Sequence, residues 1–245
     1  MKLSMEQMLT RWEQLRAVKN LMGRMSADYT LKKEGEMFET YWAQREDVCL
    51  AVNEGWYVGR EAVAGYYRTL GEQIAAQSRL IRQIFPQELG DKTSEEIRGV
   101  GTMDYKPIDT PVVEIADDGE TAKGIWCIRG SHSKILPSGP VAYWEWGWFA
   151  ADFIREGDEF KIWHLQYLQE VCRPNGQPWY GSEDVYPPVP EFAPAAEFRF
   201  PQPTHPAQVR ARYAADRPFT PCPRVPEPYE TFAETFSYGW KEDAL

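Results

Sequence analysis

Histidine is scarce in this chain and cysteine is scattered. Among 245 residues there are 3 histidines and 4 cysteines. His132, His164 and His205 form no HxxxH or HxH pair that would set two ligands on one helix or strand face. Cys49, Cys127, Cys172 and Cys222 show none of the short spacings of zinc or redox sites, so reduced thiols and no metal are expected. Glycine-rich phosphate loops are missing too, because Gly55, Gly59 and Gly65 are not arranged as a strand-to-helix fingerprint. No nucleotide and no other cofactor is expected. Basic charge is short: 27 Lys and Arg against 37 Asp and Glu leave a net charge of −10, the wrong balance for a nucleic-acid partner. No apolar run approaches the ~18 residues of a membrane span. The opening Met1-Lys2-Leu3-Ser4-Met5-Glu6 lacks a signal peptide's apolar core, so a cytoplasmic protein without a membrane partner is the expectation.

What the chain has in quantity is apolar strand. From Thr110 to Gln169 three strands rich in β-branched and aromatic residues are separated by reversals at Asp117-Asp118-Gly119 and Glu156-Gly157-Asp158. Helices precede them. Met8, Trp12, Leu15, Val18, Met22, Met25 and Tyr29 recur at steps of three and four, which predicts one amphipathic helix from Met5 to about Leu31. A second is expected from Lys33 to Ala43, then a short strand from Val48 to Val52, a turn from Gly55 to Gly59, and a third helix from Arg60 to about Gln77. After Cys172 prolines recur from Pro174 to Pro228 and exclude regular sheet and long helix, apart from one helix around Ala207 to Ala215. Aromatics recur through the same stretch, from Trp179 to Trp240, whereas disordered segments are poor in them. Residues 1–172 therefore read as one domain, and 173–245 as an extension that wraps that domain or a partner subunit.

This order of elements carries several specific pieces: Asn20-Leu21-Met22-Gly23-Arg24, Gly55-Trp56-Tyr57-Val58-Gly59-Arg60, Thr110-Pro111-Val112-Val113-Glu114-Ile115-Ala116, the run from Asp118 to Trp126, and Lys161-Ile162-Trp163-His164. Over Met8 to Cys172 it resembles the SnoaL-like branch of the nuclear transport factor 2-like superfamily. The resemblance implies an α+β fold, a cone-shaped barrel in which three N-terminal helices pack on a strongly curved, mixed but mostly antiparallel sheet. Cavities in such cones serve dehydratases, isomerases, polyketide cyclases and lyases that need no cofactor, while other members only bind or assemble. Fold alone therefore does not decide function. Relatives often carry a histidine or aspartate where Tyr29 or Thr30 stands here, and a histidine where Lys106 stands, so catalytic roles do not transfer by position. A subset that removes a hydroxymethyl group from lignin-derived aromatics as formaldehyde looks similar in its long Pro-rich extension, which points to an aromatic substrate.

Alternation along the last strand puts Phe160, Ile162, His164, Gln166 and Leu168 on one face. In the implied cone that face packs toward the helices, so His164 is expected in the cavity as the proton-transfer group, the alternative being a hydrogen-bonded core histidine. On the preceding strand Tyr143, Glu145, Gly147, Phe149, Ala151 and Phe153 share a face; if that set lines the cone Glu145 is an interior acid, and a bulge that reversed the parity would put the opposite face inside. The opposite face carries Trp144, Trp146 and Trp148, too much exposed indole for a monomer, and a homodimer or higher homo-oligomer follows. Tyr29 and Lys106 are expected to contact a substrate oxygen, and Asp109 is the other candidate partner for His164. Trp126, Trp56, Tyr66 and Phe149 are candidate apolar walls, with Tyr105 and His132 near the mouth. The combined expectation is a cofactor-independent lyase, dehydratase or isomerase acting on a small hydroxylated aromatic molecule. A noncatalytic binding or assembly module, its cone filled by side chains, is the alternative.

Overall fold

The computed structural model describes residues 4–136, 139–178, 200–207 and 223–241. The expected helix around Ala207 to Ala215 lies almost wholly outside them, as does Cys222. Helix α1, Met5–Thr30, starts at a capping box in which Ser4 and Gln7 bond each other's backbone N–H groups. Only the second half of its apolar stripe is buried, at Val18, Met22 and Met25; Met5, Met8, Leu9 and Trp12 stay exposed.

The second expected helix is broken. Lys32 takes a left-handed conformation (φ 58°), a 3-10 turn follows at Glu34–Glu36, and only Met37–Tyr41 is α-helical (α2). The turn presses on α3, Arg60–Ile84, at Gly35, where an added Cβ would lie 3.0 Å from the Gly71 Cα. Helix α3 runs beyond Gln77 because Ile81 is buried, and a one-turn helix α4, Pro86–Leu89, follows with proline in its first turn.

The stretch expected as a turn, Gly55 to Gly59, is mostly strand. Cys49–Val52 (β1) and Gly55–Val58 (β2) form a tight hairpin. The remaining strands are Asp104–Tyr105 (β3), Ile108–Ile115 (β4), Thr121–Leu136 (β5), Gly139–Glu156 (β6), Glu159–Pro174 (β7) and His205–Pro206 (β8). The two Asp-Gly reversals fall where expected, with Gly119 and Gly157 at φ 75° and 63°, values that glycine adopts at least cost. The middle expected strand is two, β5 and β6. One sheet results, ordered β3-β5-β6-β7-β1-β2-β8, with β4 also on β5. It is strongly curved, and every pairing between its strands is antiparallel except that of β1 with β7. The fold is α+β, as expected.

The helix-facing side of the sheet buries Trp126, Phe149, Phe153, Ile162 and Leu165 against Met22, Met25, Phe38, Trp42 and Tyr67. On the other side lie residues from the C-terminal part of the chain. Tyr238 and Phe236 pack on Ile125, Ala150 and Trp148, and Trp240 packs on Cys49, Ala51 and Trp56. Backbone bonds from Asp117 and Asp118 to the carbonyls of Tyr229 and Glu230 tie the extension down. At least part of the expected tryptophan face is thus taken by intrachain contacts.

Candidate functional site

Two buried ionic clusters sit on opposite faces of the sheet. The inner one is centred on Glu145, which β6 delivers to the helix-facing side and which is 2% exposed. Lys106, in the link between β3 and β4, reaches it with Nζ 3.2 Å from Oε2. The Lys106 carbonyl accepts from Ser26 of α1 at 2.7 Å, which fixes this link against the helix. His132 of β5 places Nδ1 3.3 Å from the same carboxylate oxygen and stacks on Tyr143 at 5.1 Å. Oε1 accepts from the Tyr167 hydroxyl and from the Gln169 amide, and Asn53 in the β1–β2 turn bonds Gln169 in turn.

The surroundings are aromatic. The Lys106 ammonium lies over the rings of Tyr29 and Tyr167, at 5.4 and 5.5 Å. Phe149 stacks against Tyr29 and tilts against Tyr167, while Tyr66 contacts Tyr57, Tyr67 and Phe200 of the extension. Burial alone would raise the Glu145 carboxyl, but the Lys106 charge, the nearby His132 and the bond from Tyr167 outweigh it and hold the group well below the usual carboxylate range. Burial works against the Lys106 charge as well, and the carboxylates of Glu145 and Asp104 overcome it, so its affinity for the proton rises. Burial pushes the Tyr29 and Tyr167 hydroxyls far up, so both stay protonated donors.

Among the described residues, the inner polar atoms sealed from solvent without a hydrogen bond of good geometry include Oε2 of Glu145, Nδ1 of His132, Oε2 of Glu34, Oη of Tyr67 and Nε1 of Trp42. Native interiors leave few such atoms.

No protein-family model matches the chain, and no curated protein does. Its likeness is to solved structures, at low identity. A type 2 hexachlorocyclohexane dehydrochlorinase (LinA) is 13% identical over 72% of this chain and 99% of its own, with a TM-score of 0.47. A type 3 enzyme from Novosphingobium barchaimii is 14% identical over 71% and 99%, with a TM-score of 0.45. A protein of the nuclear transport factor 2-like class with a cystatin-like fold, from Novosphingobium aromaticivorans, is 14% identical over 65% and 83%, with a TM-score of 0.41. Likeness at this level assigns no role to any residue here.

The expected site is thus partly assembled. Glu145, Lys106, His132 and Tyr29 converge, and Phe149 and Tyr66 stand beside them. Trp126 lies in the apolar core against Phe153. Four residues go elsewhere. Asp109 pairs with Arg129 at 3.0 Å on the exposed face of the β4–β5 ladder, Tyr105 is exposed, and Trp56 lies under Trp240 on the outer side.

His164 is the fourth, and its expected orientation is corrected. Phe153 pairs with Ile162 but Asp152 pairs with His164, so Trp163 is an extra residue in β7. That bulge swaps the faces: Phe160 and Ile162 point inward before it, Leu165 and Tyr167 after it, and His164 and Gln166 outward. The outer cluster is therefore His164, Asp152 and Lys123. Asp152 takes His164 Nδ1 at 2.8 Å, Lys123 Nζ at 2.5 Å, and from the extension the Ser237 hydroxyl at 2.9 Å and the Tyr238 N–H at 2.8 Å. Lys123 is enclosed by the rings of Tyr229, Phe232, Phe236 and Tyr238. Gly239 lies flat on the His164 ring, whose carbons would be 3.0 Å from an added Cβ. The polar partners of this histidine, Asp152 and Ser237, join the extension to the sheet.

Sequence reasoning missed Tyr167, Gln169, Tyr67 and Glu34. The first two lie beyond the bulge and read with the wrong parity. Glu34 follows the end of the first helical stripe and carries no local signal of burial.

Proposed function

We propose that the protein is an acid–base lyase or isomerase, independent of any cofactor, that acts inside the cone on a small hydroxylated aromatic molecule. The observation that carries this reading is the inner cluster: a buried carboxylate held ionised, with a lysine and a histidine partly buried beside it among tyrosines, an ionic arrangement that is weak evidence of a purely stabilising role. The Glu145 carboxylate, 3.3 Å from Nδ1, holds His132 by its charge and leaves Nε2 to take a proton from carbon or from a hydroxyl. Lys106 keeps Glu145 charged and stands ready for a developing oxyanion. Tyr29, always protonated, donates to a substrate oxygen, and Tyr66 and Phe149 offer flat walls to a ring. Loss of water across a carbon–carbon bond fits these groups. So does loss of a hydroxymethyl side chain as formaldehyde, in which the base takes the hydroxyl proton and the electron pair of the broken carbon–carbon bond stays with the aromatic portion until a proton quenches it.

The test is turnover of a panel of hydroxylated and hydroxymethyl aromatics by the purified chain, followed by ultraviolet absorbance and by formaldehyde release. His132→Gln and Glu145→Gln should each lower kcat by about 100-fold or more, whereas His164→Asn should leave chemistry intact. Undiminished turnover by His132→Gln would sink the reading.

A second reading has its own support. Glu145, Tyr167, Gln169 and Asn53 satisfy one another in a continuous chain, as a binding or assembly module would require. Tight binding of panel compounds without conversion would select it.

A further inference from the structure

One buried carboxyl has no task in the acid–base reading of the inner cluster, and the role inferred for it rests on that reading. Glu34 is 5% exposed and sits on the 3-10 turn that the Gly35–Gly71 contact presses against α3. Its side chain is buried, and Oε2 has no hydrogen-bond partner. The charges around it are accounted for on every side. Lys32, 4.0 Å away, is shared with Asp104 at 2.9 Å, and the Asp104 charge adds to the upward push on Glu34. Arg98 is taken by Glu36 and Glu95. From α1 and α3 come the Tyr29 and Tyr67 hydroxyls, both of which feel the Glu34 charge, and from the β3–β4 link comes Lys106. Burial outweighs the pull of Lys32 and Lys106 and pushes the carboxyl up to about 7. One interior therefore contains two carboxyls driven in opposite directions, an arrangement that divides acid from base.

We propose that Glu34 is the proton donor of this interior, serving a departing oxygen from the helix side while His132 withdraws a proton from the sheet side. In an elimination of water the His132 imidazole takes the proton from carbon, and that C–H pair becomes the new double bond. The carbon–oxygen bond breaks with its electrons going to oxygen, and the Glu34 proton completes the water molecule. Glu34 ends ionised beside Lys106, and His132 ends protonated beside Glu145. Passage of one proton through solvent resets both. Substrates of this site then carry a hydroxyl on the carbon next to an acidic C–H, attached to an aromatic ring.

The experiment uses the full chain with Glu34→Gln, Glu34→Asp and Glu145→Gln on the aromatic panel, with initial rates from pH 5 to 9. Carbon-13 detection follows the Glu34 side-chain carboxyl in parallel. Glu34→Gln should lower kcat by about 100-fold, leave KM within a few-fold, and erase the alkaline limb of the rate profile, while Glu34→Asp restores part of both. The carboxyl resonance should titrate near neutrality. Wild-type kcat and alkaline limb in Glu34→Gln, with Glu145→Gln inactive, would overturn this inference alone, as would a titration in the ordinary carboxylate range. Full activity in Glu145→Gln, or no turnover of any compound, overturns the lyase or isomerase reading and this one with it.

Discussion

Lys106 and Glu145 show at the level of single residues why the inner cluster is a poor choice for stability alone. Each ion loses its water on burial, and their attraction at 3.2 Å offsets that loss only while both are present. Removing one leaves an uncompensated buried charge. Lys106→Met should therefore destabilise the protein by about 3 kcal/mol, with Glu145 then taking up a proton that it otherwise refuses. The double variant Lys106→Met/Glu145→Gln should recover most of that loss, because no charge is left buried. Urea unfolding of the two single variants and the double variant checks the claim. Additive losses in the double variant would mean that the two side chains are not coupled as their geometry requires.

At the level of elements, β7 separates what could be read in the sequence from what could not. Strand existence was legible, since aromatic and β-branched runs bounded by Asp-Gly reversals have few alternatives, whereas the parity of β6 had two readings in the sequence, and the structure turns Glu145 inward. The extra residue Trp163 left no mark in the sequence, because both faces of β7 are covered and its alternation is weak. His164 and the segment from Tyr167 to Gln169 were therefore assigned to the wrong sides. The outer cover was legible only as composition: aromatics that had to pack somewhere. Its anchoring makes a prediction. Asp152 joins β6 to the extension through the Ser237 hydroxyl and the Tyr238 N–H while neutralising Lys123. Asp152→Asn removes the charge and strands a buried lysine, a loss on the order of 3 kcal/mol. Hydrogen exchange at Tyr238 and Gly239 should speed up more than exchange in the α1 core, since the extension is released before the domain opens. Equal acceleration in both would show that the extension and the domain unfold as one unit.

For the whole molecule the two clusters and Glu34 set opposing responses to pH. Burial would raise Asp152, but the His164 bond and the Lys123 charge hold it low, as Lys106 holds Glu145. A carboxyl lowered on folding contributes stability above its unfolded value, and that contribution is lost as pH falls through the folded one. Below the range in which lysines titrate, both clusters therefore weaken on the acid side. Glu34 has the opposite sign, because folding raises it from 4.5 to about 7. Its contribution is whole below pH 4.5 and disappears as pH rises through 7, a loss on the order of a few kcal/mol at 1.36 kcal/mol per pKa unit. Stability should accordingly peak on the acid side of neutrality and decline toward pH 8, although the net charge is already negative there. Unfolding free energies measured by urea from pH 3 to 9 test this. Glu34→Gln should lift the alkaline side selectively, and Asp152→Asn should flatten the acid side. Moderate salt should change the curve little, because the groups responsible are buried and poorly screened. A wild-type curve that climbs steadily to pH 8 would mean that Glu34 is ionised in the folded protein at neutral pH, and that the interior has no acid to give.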